Sequence, residues 1–157
     1  MDYPLHSMLV HFPIALLIAS VLFDMVGWWF KKESFQDGAL WLLLMGLLGG
    51  VTASVAGSMA EEAAERAGIA ESLIETHEML AFVTLGIFAV LLVGRLLVLR
   101  NQFTQKTFAA YLFIAWIGLG TLSATGHLGG DLVYKYGAGV NVAAVKQGVV
   151  AKRFQED

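Results

Sequence analysis

The chain has 157 residues, 57% of them hydrophobic and 15% charged, with a formal net charge of -3 and a mean hydropathy of +0.69. Its apolar residues come in runs near 20 long rather than alternating with polar ones, the pattern of a multi-span membrane protein and not of a soluble domain. Cysteine is absent, which excludes disulfides, thiolate metal sites, iron–sulfur clusters and the C-x-x-C-H attachment of c-type haem.

The first run, residues 10–30, is interrupted by Asp24. No basic segment precedes it and no small-residue cleavage pattern follows it, so it is expected to remain as a span rather than to leave as a signal peptide. Pro13 removes a donor for the carbonyl of Leu9, so the helix is expected either to kink beside His11 or to start there. The second run covers 38–60 and the third 79–99, the latter interrupted by Arg95; the fourth covers 108–130. About 20 residues at 1.5 Å each cross a hydrocarbon layer of ~30 Å, so each run spans once. The expected fold is an all-α, four-transmembrane-helix antiparallel bundle over residues 1–136, with a tail over 137–157. Between spans 2 and 3 lies an acidic, alanine-rich stretch, "AEEAAERAGIAESLIETHE", whose spacing extends both helices beyond the membrane. Within it "SLIE" reads as a capping box with Ser72 as N-cap.

Basic residues set the expected orientation. Lys31 and Lys32 follow span 1, and Arg95, Arg100 and Lys106 surround the turn from span 3 to span 4, whereas residues 1–9 carry no base. By the positive-inside rule these turns face the cytoplasm, and both termini lie outside, in the periplasm of a Gram-negative cell. Trp28, Trp29 and Trp41 gather at the basic end, where interfacial aromatics belong.

All four histidines then fall at the outer end. His6 and His11 head span 1, His77 heads span 3 and His127 ends span 4. His11 is 17 residues from Trp28, His77 is 18 from Arg95 and His127 is 19 from Phe108, so three helices bring imidazoles to one layer, ~25 to 29 Å from the inner boundary. His6 and His11, five residues apart, point away from each other in a regular helix. Small residues lie beneath this layer. Gly120 sits two turns below His127, and Gly46, Gly50, Ala53 and Gly57 recur along span 2. Such stripes serve helix–helix contact or clearance for a flat cofactor, here at Gly50, Gly57 and Gly120.

Four readings of the histidine layer follow. Two imidazoles from facing helices ligate a b-type haem on both axial sides, in a slot between spans 2 and 4. Alternatively, three or four histidines, with Glu61, Glu62, Glu78 or Asp131 in reach, bind zinc or copper. A third reading is a proton or quinone site, and a fourth is a structural layer with no ligand. Asp24 and Arg95, at similar depth near the basic end, are expected to pair between spans 1 and 3, because lone charges there are costly.

"HSMLVHFPIALL" at 6–17, with Phe23 and Asp24, and "GHLGGDLVYKYGAGV" at 126–140 resemble the two hallmark stretches of a family of predicted four-helix bacterial membrane proteins of unknown function. The resemblance covers nearly the whole chain, including the histidine at the head of span 3. It implies fold and membrane location, and supplies no activity. Ser7 stands where the family pattern leads one to expect proline, which ranks His6 behind the others. The expectation is therefore a b-type haem protein of the bacterial inner membrane, with His11, His77 and His127 foremost as iron ligands and His6 next. It would transfer electrons between quinone and an outside partner such as a periplasmic cytochrome. A zinc or copper site on the same histidines, or a structural subunit of a larger complex or homo-oligomer, are the alternatives. Nothing in the sequence suggests a hydrolytic triad, a phosphate loop or a nucleic-acid surface.

Overall fold

A computed structural model describes residues 5–98 and 105–139. Arg100 and the tail from residue 140 onward, which entered the orientation and domain expectations, lie outside the described residues. Within them the protein is all-α, with four segments long and apolar enough to cross a membrane.

Span 1 is made of two helices, α1 (Leu5–Leu9) and α2 (His11–Phe30), which together cover Leu5–Phe30. The break falls at Val10, whose amide bonds the His6 carbonyl at 3.1 Å. Pro13 is the cause, since it cannot donate to the carbonyl of Leu9; the helix both starts at His11 and carries one further turn ahead of it. At the other end Lys31 adopts the left-handed conformation (φ 53) and Lys32 donates to the Gly27 carbonyl at 2.9 Å. This closes the helix where a lysine also suits the negative end of its dipole.

The second span is α3 (Glu33–Arg66). Its 34 residues extend about 51 Å, so its last turns project beyond the hydrocarbon. A tight turn at Gly68 (φ 88) tucks Ile69 inward and lets α4 (Glu71–Val98) begin at once. Ser72 is consequently inside the helix rather than its cap, and its carbonyl accepts from the Thr76 hydroxyl at 2.6 Å. The fourth span is α5 (Gln105–Tyr134).

Around the bundle the neighbours run α2, α3, α4, α5 and back to α2, so spans 1 and 3 are diagonal, as are spans 2 and 4. The core is formed by Leu17, Val21, Leu43, Leu47, Phe88, Leu91, Phe108, Tyr111, Ala115 and Leu122. Small residues give these side chains room. A Cβ on Gly46 would stand 2.7 Å from Leu17, one on Gly50 2.5 Å from Leu85 and one on Gly118 3.2 Å from Phe88. Close backbone approach of this kind is the main source of helix association in lipid, where burial of apolar surface adds little. Trp29 and Trp41 are exposed, but Trp28 turns inward and stacks on Phe108 with ring centroids 4.0 Å apart.

The basic end is braced across the diagonal. Asp24 on α2 meets Arg95 on α4, Oδ1 to Nη1 2.8 Å, with both side chains buried. The Tyr111 hydroxyl of α5 donates to the other carboxylate oxygen at 2.6 Å, and Arg95 donates to the Gln36 carbonyl of α3 at 2.7 Å. All four spans therefore contribute to one network around two opposite charges.

Candidate functional site

The opposite end of the bundle is built in the same manner from imidazoles. His6, on α1, donates from Nδ1 to the Ala53 carbonyl of α3 at 2.7 Å. That carbonyl lies on a helix surface and is normally screened by the side chain one turn on, but here the residue one turn on is Gly57. A Cβ on Gly57 would sit 3.0 Å from His6 Cε1 and Nδ1, so the glycine is the condition for the hydrogen bond. His77, on α4, repeats the arrangement on α5. A Cβ on Gly129 would stand 3.0 Å from His77 Cε1, and the ring reaches the backbone of Thr125, one turn before that glycine. The two imidazoles meet across the diagonal, with ring centroids 6.1 Å apart and planes at 88°. His77 Nδ1 is enclosed and has no hydrogen-bond partner.

These pairings expose an internal repeat. His6 and His77 are 71 residues apart, as are Asp24 and Arg95, and Leu17 and Phe88; Ala53 and Thr125 are 72 apart, as are Gly46 and Gly118, and Gly57 and Gly129. The hairpin of spans 1 and 2 thus recurs as the hairpin of spans 3 and 4, in parallel orientation, an organisation familiar in membrane proteins with an axis along the bilayer normal. Equivalent positions meet on that quasi-two-fold axis at both ends of the bundle. The sequence signal is short: "HSML" at 6–9 and "HEML" at 77–80, with a glycine in the partner helix at 57 and 129. Gly129 and Thr125 were not singled out from the sequence, and this repeat is what would have found them.

The other expected ligands lie elsewhere. His11 is on the exposed face of α2, and its repeat counterpart, Phe82, is also exposed. The His127 side chain is 75% exposed, and its counterpart, Val55, faces outward too. His127 Nε2 lies 3.9 Å from Asp131, whose carboxylate is engaged by Lys135 Nζ at 2.7 Å; that bond holds the Lys135 ammonium above its usual pKa. Rise per residue sets His11, His77 and His127 at one level, but the face differs, and of the four histidines only His6 and His77 turn into the bundle. Among the described residues no three His, Asp or Glu side chains are grouped to hold a metal ion.

Two of the three small residues assigned to a flat cofactor are filled by protein side chains. Gly50 receives Leu85 and Gly57 receives His6, while Gly120 has no neighbour within 4 Å of its notional Cβ. The slot expected between spans 2 and 4 is a bundle diagonal, occupied by the histidine pair at this end. Just below the pair, the Thr84 and Thr125 hydroxyls meet at 3.2 Å and clasp α4 to α5.

Residues 2–142 match the family model described as "Predicted membrane protein (DUF2231)". The chain belongs to this family. No curated protein matches it, and no solved structure does. This DUF2231 protein is a membrane protein with an all-α four-helix bundle, which agrees with the family resemblance carried by its histidine-containing stretches.

Proposed function

We propose that this DUF2231 protein binds one transition-metal ion between His6 and His77, at the end of the bundle that the basic turns place outside the bacterial inner membrane. The observation that carries this reading is the state of the two rings. His6 is oriented through Nδ1 by the Ala53 carbonyl of the adjacent span, and His77, which reaches the Thr125 backbone, keeps an enclosed Nδ1 without a hydrogen-bond partner. Imidazoles that ligate metals are characteristically held in this way, with one nitrogen tied to a carbonyl or carboxylate so that the other presents its lone pair. A purely structural histidine in lipid would use both nitrogens, since an unmet polar atom there costs several kcal/mol.

A b-type haem would use the same two imidazoles as axial ligands. The packing favours an ion over haem, because the gaps left by Gly57 and Gly129 are filled by the imidazoles themselves and a porphyrin would have to part α3 from α5. The test is the metal and haem content of the detergent-purified protein after expression in copper-, zinc- and haem-supplemented medium. One ion per chain, lost in His6→Ala and in His77→Ala and kept in His127→Ala, is the expected result. A Soret band that depends on His6 and His77 would replace the ion with haem, and a metal content indifferent to both would overturn the reading.

A further inference from the structure

We propose that the seam between α3 and α4 is a second site, independent of the histidine pair, and that it takes a lipophilic cation from the bilayer, a quaternary ammonium group carrying one long apolar chain. The seam holds a cavity of about 380 Å³ on the outer surface of the bundle, toward the lower end of the range of about 300–1,000 Å³ for clefts that bind small molecules. Its walls are apolar, with Leu47, Val51 and Val55 on α3 and Phe82, Leu85 and Ala89 on α4. Gly86 leaves the cavity floor open, since a Cβ there would meet nothing within 4 Å. These residues fall inside the apolar runs of spans 2 and 3, so the cavity is reached from the hydrocarbon and suits a chain rather than a polar solute.

The outer end of this cavity carries charge of one sign. A second space of about 400 Å³ adjoins it, lined by Glu75, Thr76, Glu78, Met79 and Phe82, and Phe82 lines both. Glu78 on α4 is half-buried and accepts from the Ser58 hydroxyl of α3 at 3.4 Å, which holds its carboxylate over the seam. Further glutamates crowd it, and the Glu61 carboxyl is held above its ordinary pKa with Glu78 as the largest cause. The base of this stretch, Arg66, is engaged by Glu62 at 3.3 Å. The field at this end favours a cation and disfavours any amphiphile that brings an anion to the same place, the phosphodiester of a phospholipid included. Aromatic rings attract quaternary ammonium groups, and Phe82 is exposed where the two spaces join, between the positions of head and chain.

The repeat supplies an internal control. The equivalent seam lies between α5 and α2, where Ser7 stands in the place of Glu78, His11 in that of Phe82, Ser123 in that of Val51 and His127 in that of Val55. The chemistry differs at each of these positions. One seam has an apolar wall under a carboxylate, whereas the other has hydroxyls and imidazoles. Asp131 of α5 is matched by Lys135 at 2.7 Å, while the glutamates around the head of the α3–α4 seam outnumber Arg66. A preference for a lipophilic cation therefore belongs to α3 and α4 and not to α5 and α2.

The experiment is photolabelling of the full-length protein, reconstituted in bilayers of phosphatidylethanolamine and phosphatidylglycerol. The probe is hexadecyltrimethylammonium with a diazirine at the end of its chain, and the labelled residues are mapped by mass spectrometry. Unlabelled hexadecyltrimethylammonium and hexadecanol compete, on the native chain and on variants that keep its gel-filtration profile. We expect label on the α3 and α4 walls of the cavity, displaced by the cation on the order of 10-fold more effectively than by the alcohol, the scale of one close opposite charge at an interface. Glu75→Gln combined with Glu78→Gln should bring the two competitors level. Gly86→Leu fills the floor where the bundle leaves room and should abolish labelling of the cavity, whereas His127→Ala, in the other seam, should leave it unchanged. Equal displacement by hexadecanol from the native chain, or a preference that survives the double glutamine change, would overturn the choice of a cation. Label spread evenly over the four spans, or label in the cavity unaffected by Gly86→Leu, would overturn the seam as a site.

Discussion

The two ends of the bundle solve the same problem with opposite chemistry. At the basic end the axis carries Asp24 and Arg95, and the neighbouring spans complete them with the Tyr111 hydroxyl and the Gln36 carbonyl. At the histidine end the axis carries His6 and His77, and the neighbouring spans supply only backbone groups and glycine notches, leaving an enclosed nitrogen without a partner. Opposite charges in contact finish a structure. Two imidazoles, one with an enclosed nitrogen left unmet, do not, and this is the end at which we propose a ligand.

Arg95→Ala should break that comparison hardest. It leaves the Asp24 carboxylate buried without its cation, and removing one partner of a buried pair costs about 3–5 kcal/mol. The expected outcome is a large drop in the thermal unfolding midpoint in detergent. Asp24→Asn keeps the shape and one hydrogen bond, and should cost less. Neither change should alter the metal binding proposed for His6 and His77 in the protein that remains folded. Loss of the metal from a well-folded Asp24→Asn chain would show that the two ends are coupled.

Gly57→Ala and Gly129→Ala come next. Each puts a methyl group 3.0 Å from an imidazole carbon, which moves the ring off its backbone partner. Disturbing the groups that orient a metal-binding imidazole usually lowers metal affinity 10–100-fold, and each alanine should do so for the proposed site, measured by competition with a chromogenic chelator. Because the two glycines are repeat equivalents, their effects should be similar. A large loss from one and none from the other would mean that the quasi-two-fold does not extend to the ligand. Thr84→Val removes the hydroxyl contact with Thr125 and, by the average for hydrogen bonds between membrane helices, should cost about 0.6 kcal/mol.

Much of the architecture was legible because it depends on period and depth. Run lengths gave four spans, Pro13 marked the break at Val10, and the interruptions at Asp24 and Arg95 fell at one level, where the structure places them 2.8 Å apart. The histidine end was legible only in depth. Rise per residue places His11, His77 and His127 in one layer, but it says nothing of which way each side chain faces once span 1 breaks at Val10 and α5 turns His127 outward. The proline expected at position 7 further lowered the rank of His6, although the family pattern there constrains the backbone and not the imidazole. The repeat would have resolved this. Its signal is concentrated in "HSML" and "HEML" and in single glycines of spans 2 and 4, too sparse to be found without the contacts that give those glycines a purpose.

His11→Ala and His127→Ala should have the smallest effect, and for that reason they sharpen the contrast between face and depth. Both side chains are exposed, and their repeat counterparts Phe82 and Val55 show that the same positions are filled with apolar side chains when no polar group is present. An imidazole on such a surface bonds headgroups or water and loses little when removed, so stability should move by less than about 0.5 kcal/mol and the proposed metal binding not at all. Were either variant instead to abolish metal binding while His6→Ala left it intact, the ligand would lie on the outer face of α2 or α5 and not on the axis. The carbonyl bond of His6 and the notch at Gly57 would then be parts of the packing alone.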